Sequence, residues 1–434
     1  MRVRSATLLF ISTALLGTCL SAYSATPPKP GAICTKVGAA QTYKGKKYTC
    51  IKSGKKLTWS KGVRIKSAAP APTPIVSISA TPTPEPSPTP SITATPEPSP
   101  TPSVTAVASP TPEPSPTPTT PPPAPKDFSD LYENRAGISH SAWSKSSEII
   151  KASKAKYGTL EIYTGPNTKP YFDDYPTAVG LVSRLFPNRL EPSKTIVIRY
   201  KFVDVDWADR TFREKIGEAQ YQQMNSTENG KLVPSVCNAN TKDCPGAMQQ
   251  TSNMGVSVIF QGVQNSDNPN DATGKMRFYS GMLEAHEYFH AIQRIPIMGK
   301  TEVWPHAWFR EGGAEWVQNL AINYQDFKTY SDYLRLDCAF ECQRLSESEI
   351  VEFLQTAKAN YVPAKFHQWL NYSLGAYIIE ALVALKGADT LIEMYAQMSN
   401  RISFDQAFKN TYGVEWSYAI PILAKTIYAN LKGL

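Results

Sequence analysis

The chain has 434 residues, 36 of them proline, and carries 45 Lys and Arg against 37 Asp and Glu, a formal net charge of +8. Residues 25–67 contain 11 of the basic residues and no Asp or Glu, so the rest of the chain is slightly acidic. No nucleic-acid-binding motif accompanies this basic segment, which argues against a nucleic-acid partner.

Residues 1–24 have the pattern of a secretory signal peptide. Arg2 and Arg4 precede an apolar run, residues 6–20, which small residues follow. The run is short for a membrane span, and no later stretch reaches the roughly 20 apolar residues that a spanning helix needs. We therefore expect a secreted or cell-envelope-associated protein without a transmembrane segment. A lipid anchor at Cys19 is the alternative.

Six cysteines remain if Cys19 leaves with the signal peptide. An even number in an exported chain predicts disulfides. The spacing predicts three local pairs: Cys34 with Cys50, Cys237 with Cys244, and Cys338 with Cys342. Zinc held by Cys237 and Cys244 with two further ligands is the rival interpretation, and an oxidising compartment favours the disulfides.

Residues 25–67 are predicted to form a small basic module. Short runs containing Tyr48 and Trp59 alternate with Gly-Lys turns, which predicts a β-hairpin module stapled by Cys34–Cys50. Its cationic face is suited to an anionic cell-envelope polymer or a membrane surface. The alternative is that the lysines only keep the module soluble.

Residues 68–125 are predicted to be a disordered linker. They hold 21 of the 36 prolines and repeat the sequence TPEPSPTP three times. Such a segment buries too little apolar surface to fold and favours an extended polyproline conformation. At about 3.1 Å per residue, it reaches on the order of 180 Å when fully extended.

Residues 126–434 are long enough for a substantial core. Strands are predicted at TLEIYTG from Thr159, KTIVIRYKFV from Lys194 and GVSVIFQG from Gly255, with a helix from Ala178 between the first two. From Lys275 onward the patterns are helical. We therefore predict an α+β fold, with a small strand-rich N-terminal part and a helical C-terminal part.

One helix start and one helix end in this part can be predicted from the residues that mark them. Ser346 and Glu349 have the spacing of a capping box at a helix start, and Gly387 follows a long apolar helix as its stop signal.

The sequence LEAHEYFHAIQ places His286, Glu287 and His290 on one predicted helix, residues 275–295. Residues four apart lie on the same helix face, so the two imidazoles can bind one ion, and the carboxylate of Glu287 lies about 100° around the axis. A hydrolytic zinc site uses three protein ligands and an open position for water. A third ligand must therefore come from another segment.

The sequence WFREGGAEWVQ, from Trp308, offers that ligand on a second predicted helix. Glu311 and Glu315 lie one turn apart, and neighbouring Trp and Phe residues can pack this helix on the first. Glu311 is the predicted oxygen ligand for Zn²⁺, and Glu315 is placed to accept a hydrogen bond from a ligand histidine. A cation between them would offset the cost of burying two carboxylates.

The combination His-Glu-Tyr-Phe-His and Trp-Phe-Arg-Glu-Gly-Gly-Ala-Glu resembles the gluzincins, the zinc peptidases that include thermolysin, bacterial collagenases and the aminopeptidase N group. The resemblance covers roughly residues 255–413. It implies a gluzincin-like fold, His286, His290 and Glu311 as zinc ligands, and a Glu315 hydrogen bond to a ligand histidine. It also implies Tyr372 as the stabiliser of the oxyanion, although the family glycine follows two residues later and here Gly375 follows three later.

The sequence departs from the aminopeptidase pattern at a further position. Gln249 in GAMQQ stands where that group has the glutamate that binds the substrate amine. An endopeptidase is therefore expected, with Glu287 as general base and Tyr372, or else His306 or His367, as donor to the oxyanion. We expect the substrate backbone to add as a strand along GVSVIFQG. A non-catalytic envelope-binding protein that keeps the metal, and a zinc amidase acting on wall material, are the alternatives.

Overall fold

The computed structural model describes residues 30–64, except 35–36, 38–39, 44–45 and 55, and residues 120–433, except 226–230, 266–271, 301–302 and 357–364. The signal peptide and most of the linker predicted from the sequence lie outside these residues. The chain divides into two units, residues 1–110 and 111–434, which are described separately.

The small unit is an antiparallel sheet. Its strands are β1 (Ala40–Tyr43), β2 (Lys46–Ser53), β3 (Lys56–Trp59) and β4 (Val63–Arg64), and β2 pairs with each of the other three. Cys34 and Cys50 lie at disulfide distance and are buried, as is Tyr48. The hairpin pattern and the stapling pair are as expected from the sequence.

The large unit contains a four-stranded sheet of β5 (Thr159–Thr164), β6 (Lys194–Tyr200), β7 (Ala247–Thr251) and β8 (Val256–Gly262). The strand order is β5-β6-β8-β7, with β5, β6 and β8 parallel and β7 antiparallel to β8. The expectation that GVSVIFQG offers an edge to substrate is wrong. This segment is β8, which pairs on both sides, and the edge strand beside it is β7.

The helices of the large unit have the following bounds: α1 (Ile138–Ala152), α2 (Tyr175–Leu185), α3 (Val205–Ile216), α4 (Glu218–Met224), α5 (Leu232–Ser235), α6 (Ala272–Tyr279), α7 (Met282–Arg294), α8 (Ala307–Ile322), α9 (Phe327–Asp337), α10 (Glu347–Thr356), α11 (Ser373–Lys386), α12 (Asp389–Met398), α13 (Phe404–Tyr412) and α14 (Trp416–Lys432). The predicted capping box is present, since Ser346 N–H donates to Glu349 Oε2 (2.9 Å) and Glu349 N–H to Ser346 Oγ (3.3 Å). Gly387, with φ 86°, ends α11 as expected.

The fold is mixed α/β and mostly helical. Helices dominate after residue 275, as expected, but α1 to α5 also alternate with the strands. The connection from β5 to β6 is parallel and passes through α2, because parallel neighbours need a crossover. The sheet therefore has helices on both faces rather than standing apart as a strand-rich region.

Alternating side chains of the central strands supply two separate cores. Val197 and Ile259 point into the larger core with α2, α7 and α8, whereas Ile196 and Phe260 pack on the other side with Phe212 of α3. α7 is thus held between the sheet and the helical part. This arrangement buries most of α7.

The predicted helix over residues 275–295 is interrupted in the structure. α6 ends at Tyr279 and α7 begins at Met282; of the two residues between them, Gly281 has φ 93°. A Cβ there would lie 2.8 Å from the Phe172 ring. A positive φ breaks the helical path, and the break allows α6 to turn its Arg277 back toward α7 and α8.

Cys237 with Cys244, and Cys338 with Cys342, also lie at disulfide distance, so the predicted local pairs are all present. Among the described residues, no helix has the length and hydrophobicity to cross a membrane. Pro125, at the end of the predicted linker, is buried in the large unit.

Candidate metal centre

The two predicted metal-binding motifs come together because α7 and α8 pack against each other. His286 and His290 lie one turn apart on α7, and Glu311 lies in the first turns of α8. Apolar residues of α8, including Trp308 and Phe309, are fully buried, as the sequence predicted. His286 is buried, and His290 and Glu311 are partly exposed.

Three atoms converge at this contact. His286 Nε2 and His290 Nε2 are 3.2 Å apart, and Glu311 Oε2 lies 3.7 Å from the first and 3.2 Å from the second. These side chains can hold a metal ion. Ligands on a tetrahedral ion at bonds of about 2.1 Å stand about 3.4 Å from one another. The observed triangle therefore fits one face of a tetrahedral site and leaves the fourth position free.

His290 is oriented by Gln293, one helical turn further on. Gln293 Oε1 accepts from His290 Nδ1 (2.8 Å), and Gln293 Nε2 donates to the Arg310 carbonyl (3.0 Å). This bond places the His290 proton on Nδ1 and leaves Nε2 with its lone pair. Gln293 was not predicted from the sequence, although its position three residues after His290 was a usable signal.

His286 is oriented from its other side by Glu315. His286 Nδ1 lies 3.5 Å from Glu315 Oε2. This is the contact between Glu315 and a histidine of the α7 motif that the sequence predicted. Glu315 is fully buried, where it pairs with Arg277 (3.0 Å) and accepts from the Tyr333 hydroxyl (2.7 Å) and the Gln318 amide. Arg277 and Tyr333 were not found from the sequence, because they lie on α6 and α9 and form no motif with α8.

The carboxylates of Glu311 and Glu315 favour a positive charge between the two imidazole rings. Burial alone would lower the pKa of His286, but its contacts with Glu311 and Glu315 outweigh burial and raise the pKa to about 8. Burial would raise the pKa of Glu311, but His290, His286 and Arg310 hold that pKa well below its usual range. The carboxylate is thus ionised at neutral pH, as a metal ligand must be.

Glu287 is the cluster's buried carboxylate without a fixed partner. Its Oε2 is buried and has no hydrogen bond from any residue that the structure describes, and Glu287 lines the same cavity as the three candidate ligands. A buried acceptor without a donor is costly. A group that enters the cavity, such as a water molecule or a substrate N–H, would satisfy it.

Tyr372 stands above His286. The two rings stack at 5.9 Å with an interplanar angle of 17°, and the Trp369 ring also stacks with Tyr372, at 4.6 Å. Burial and the nearby Glu311 raise the pKa of Tyr372, so its hydroxyl keeps its proton. The structure therefore places a phenol donor on the wall of the same cavity.

A cavity of about 640 Å³ opens over these residues. The edge strand β7, α7, α8 and the segment before α11 line it. Its cationic residues are Arg277, Arg294 and Arg310, and its aromatic residues include Trp304 and Trp369. An extended chain laid along β7 would pass beside Glu287 and the candidate metal ligands.

The other histidines do not join this site. His306 stacks on Phe404 at 4.3 Å, and burial lowers its pKa to about 4. His367 is exposed, and its Nδ1 accepts from Trp369 N–H. His140 packs edge-on against Phe327. Neither His306 nor His367 lines the cavity, whereas Tyr372 does.

Gln249 lines the cavity from β7, and its amide nitrogen is already engaged. Gln249 Nε2 donates to Thr251 Oγ1 (2.8 Å) and to Ser257 Oγ (2.9 Å). The side chain carries no charge to bind a substrate amine.

The chain matches no family model, and comparisons with curated proteins and with solved structures find no significant match either.

Proposed function

We propose that this chain is an exported zinc-dependent peptidase, most simply an endopeptidase. The observation that carries the proposal is the triangle of His286 Nε2, His290 Nε2 and Glu311 Oε2, whose edges of 3.2 to 3.7 Å fit one tetrahedral ion. Two imidazoles and a carboxylate with an open fourth position are the donor set of a catalytic zinc ion. The sequence resemblance to the gluzincins supports the same assignment.

Zinc bound at this cluster would polarise a substrate carbonyl and acidify a water molecule. Glu287 accepts the proton of that water as its oxygen bonds to the carbonyl carbon. The Tyr372 hydroxyl then donates a hydrogen bond to the oxyanion. Glu287 passes its proton to the amide nitrogen, and the C–N bond breaks. The two side chains that act in these steps, Glu287 and Tyr372, both line the cavity.

The substrate is expected to bind in an extended form. Among the described residues, β7 is the edge strand of the sheet and lines the cavity, so a peptide could add to the sheet along its outer side. The Gln249 side chain is uncharged, so it offers no carboxylate to a free amino terminus. Both observations favour cleavage within a chain over removal of N-terminal residues.

The decisive experiment combines a metal assay with digestion of a peptide library. Purified protein is expected to contain about one zinc ion per chain and to cleave the library, and the cut sites give its preference. Glu287→Gln should abolish cleavage and keep the metal, whereas Glu148→Gln, an exposed change on α1, should alter neither. Zinc without cleavage by the wild type would favour a non-catalytic binding protein, and cleavage of wall amides alone would favour an amidase.

Export and a cell-envelope location belong to the same proposal. They are supported by the signal-like segment and the three cysteine pairs at disulfide distance. Lys46, Lys52, Lys56 and Lys61 are exposed on the small unit, which suits an anionic envelope polymer. We expect the full chain to sediment with isolated cell walls. Added salt should weaken this binding.

A further inference from the structure

Three arginines line the cavity, and they differ in their partners. Arg277 pairs with Glu315 at 3.0 Å, and Arg310 pairs with Glu311 at 2.8 Å. Within the described ranges, Arg294 has no Asp or Glu oxygen within 4.0 Å of its guanidinium and no hydrogen-bond partner for it. Arg294 is therefore the cavity cation whose charge the described residues leave without an ion pair.

Arg294 is held in place by an aromatic ring. Its guanidinium lies 4.5 Å from the centre of the Trp304 ring, and the Arg310 guanidinium lies 5.0 Å from that ring. Stacking on an indole fixes the plane of a guanidinium while leaving its N–H groups free to donate. The side chain is thus oriented and half-buried.

The position of Arg294 relates it to the candidate metal centre. It lies four residues after His290 on α7, about 6 Å further along the helix axis. Each residue of an extended peptide spans roughly 3.3–3.6 Å. A group that meets Arg294 would therefore belong to a substrate residue within about two positions of the bond that is cut.

On these observations, and on the proposed function as a peptidase, we propose that Arg294 is a specificity-determining residue that binds a carboxylate of the substrate. A planar guanidinium and a carboxylate form two parallel hydrogen bonds, and a desolvated cation gains most from such a partner. The carboxylate comes from an acidic side chain near the cut bond or from the free C-terminus. Burial and the neighbouring charge of Arg310 lower the pKa of Arg294 to about 10, which leaves it protonated at neutral pH.

The test uses matched peptides on the wild-type protein. Each cleaved sequence is made with Glu or Asp near the cut, with Gln or Asn in its place, and with a free or an amidated C-terminus. Loss of the recognised carboxylate is expected to lower kcat/KM by roughly 10- to 100-fold. A loss in the side-chain arm identifies an acidic residue, and a loss in the amidation arm identifies the C-terminus. Equal cleavage throughout would overturn the proposal.

Variants assign the effect to this side chain. Arg294→Gln should bring the ratio of kcat/KM between carboxylate peptides and their amide counterparts close to one, while the bound zinc reports that the metal site is still folded. Arg294→Lys should restore it only in part, because an ammonium group lacks the two-point geometry. Arg213→Gln is the control, since Arg213 also stacks on a ring, that of Tyr221, but lies outside the cavity. Discrimination that persists in a folded Arg294→Gln protein would refute the assignment.

A binding measurement keeps this inference separate from catalysis. The same peptides, labelled with a fluorophore, are titrated into Glu287→Gln protein and into the Glu287→Gln, Arg294→Gln double variant. If carboxylate peptides bind more weakly to the double variant than to Glu287→Gln protein, the result supports Arg294 as the carboxylate-binding residue, the proposed subsite. This holds even if no peptide is ever cleaved. Absence of cleavage by the wild type would contradict the proposed peptidase, and equal binding by the two variants would contradict the subsite.

Discussion

Gly312 of α8 and Gly375 of α11 pack backbone against backbone. A Cβ on Gly312 would lie 2.3 Å from the Gly375 carbonyl carbon, and one on Gly375 would lie 2.7 Å from the Trp308 carbonyl oxygen. Neither position has room for a side chain. This contact brings α11, and with it Tyr372 before its first turn, against the helix that carries Glu311.

Gly312→Ala is expected to force α8 and α11 apart. Overpacking of this kind costs about 1–3 kcal/mol, and the shift should also weaken metal binding, because Glu311 precedes Gly312. Urea unfolding and metal content measure the two effects. The control is Gly180→Ala in α2, where an added methyl meets only the Tyr157 ring, at 3.6 Å or more. Equal stability of the two variants would contradict the packing argument.

Removal of the metal should destabilise the protein. A ligand that binds only the folded state adds about 2.7 kcal/mol at 100 times its Kd, so a chelator is expected to lower the Tm and added zinc to restore it. His290→Ala removes one of the three candidate metal ligands, so the chelator should no longer change the Tm. A thermal shift series with both proteins checks this. A chelator response unchanged in His290→Ala would place the metal elsewhere.

Gln293→Leu should weaken metal binding without removing a ligand. The variant loses the acceptor for His290 Nδ1 at 2.8 Å and the donor to the Arg310 carbonyl at 3.0 Å. Loss of such an orienting partner typically costs about 10- to 100-fold in metal affinity. Competition with a chromogenic chelator gives the dissociation constant. Gln397→Leu, which removes an amide bonded to Thr411 at 3.0 Å outside the cavity, should leave the constant unchanged.

Glu380 is expected to make stability depend on pH. Burial raises its pKa from 4.5 to about 7, although the Tyr330 and Ser139 hydroxyls donate to it and partly oppose the rise. Because the folded-state pKa is above the unfolded value, stability is highest while the group is protonated and falls as pH rises from about 4.5 to 7. The shift corresponds to about 3 kcal/mol.

Glu380→Gln should therefore flatten the decline in stability between about pH 4.5 and pH 7. Urea unfolding at several pH values measures it, with the exposed Glu148→Gln as the reference. A variant that keeps the wild-type slope would show that another group titrates.

Local sequence was enough to predict the parts of the site that lie on single helices. His286, Glu287 and His290 occupy the expected positions on α7, and Glu311 and Glu315 lie one turn apart on α8. The cysteine pairs, the capping box and the stop at Gly387 were also predicted correctly. Each depends on residues close in the chain, where helix periodicity and end preferences act directly.

Other features were decided only by tertiary packing. The edge strand is β7 rather than β8, the helix before His286 breaks at Gly281, and Gln293, Arg277 and Arg294 emerge as groups around the candidate metal site. Strand order and the approach of α6 to α8 depend on contacts between distant segments, which no local periodicity encodes. The residue types of the candidate site were thus readable from the chain alone, whereas the surroundings of those residues required the packed fold.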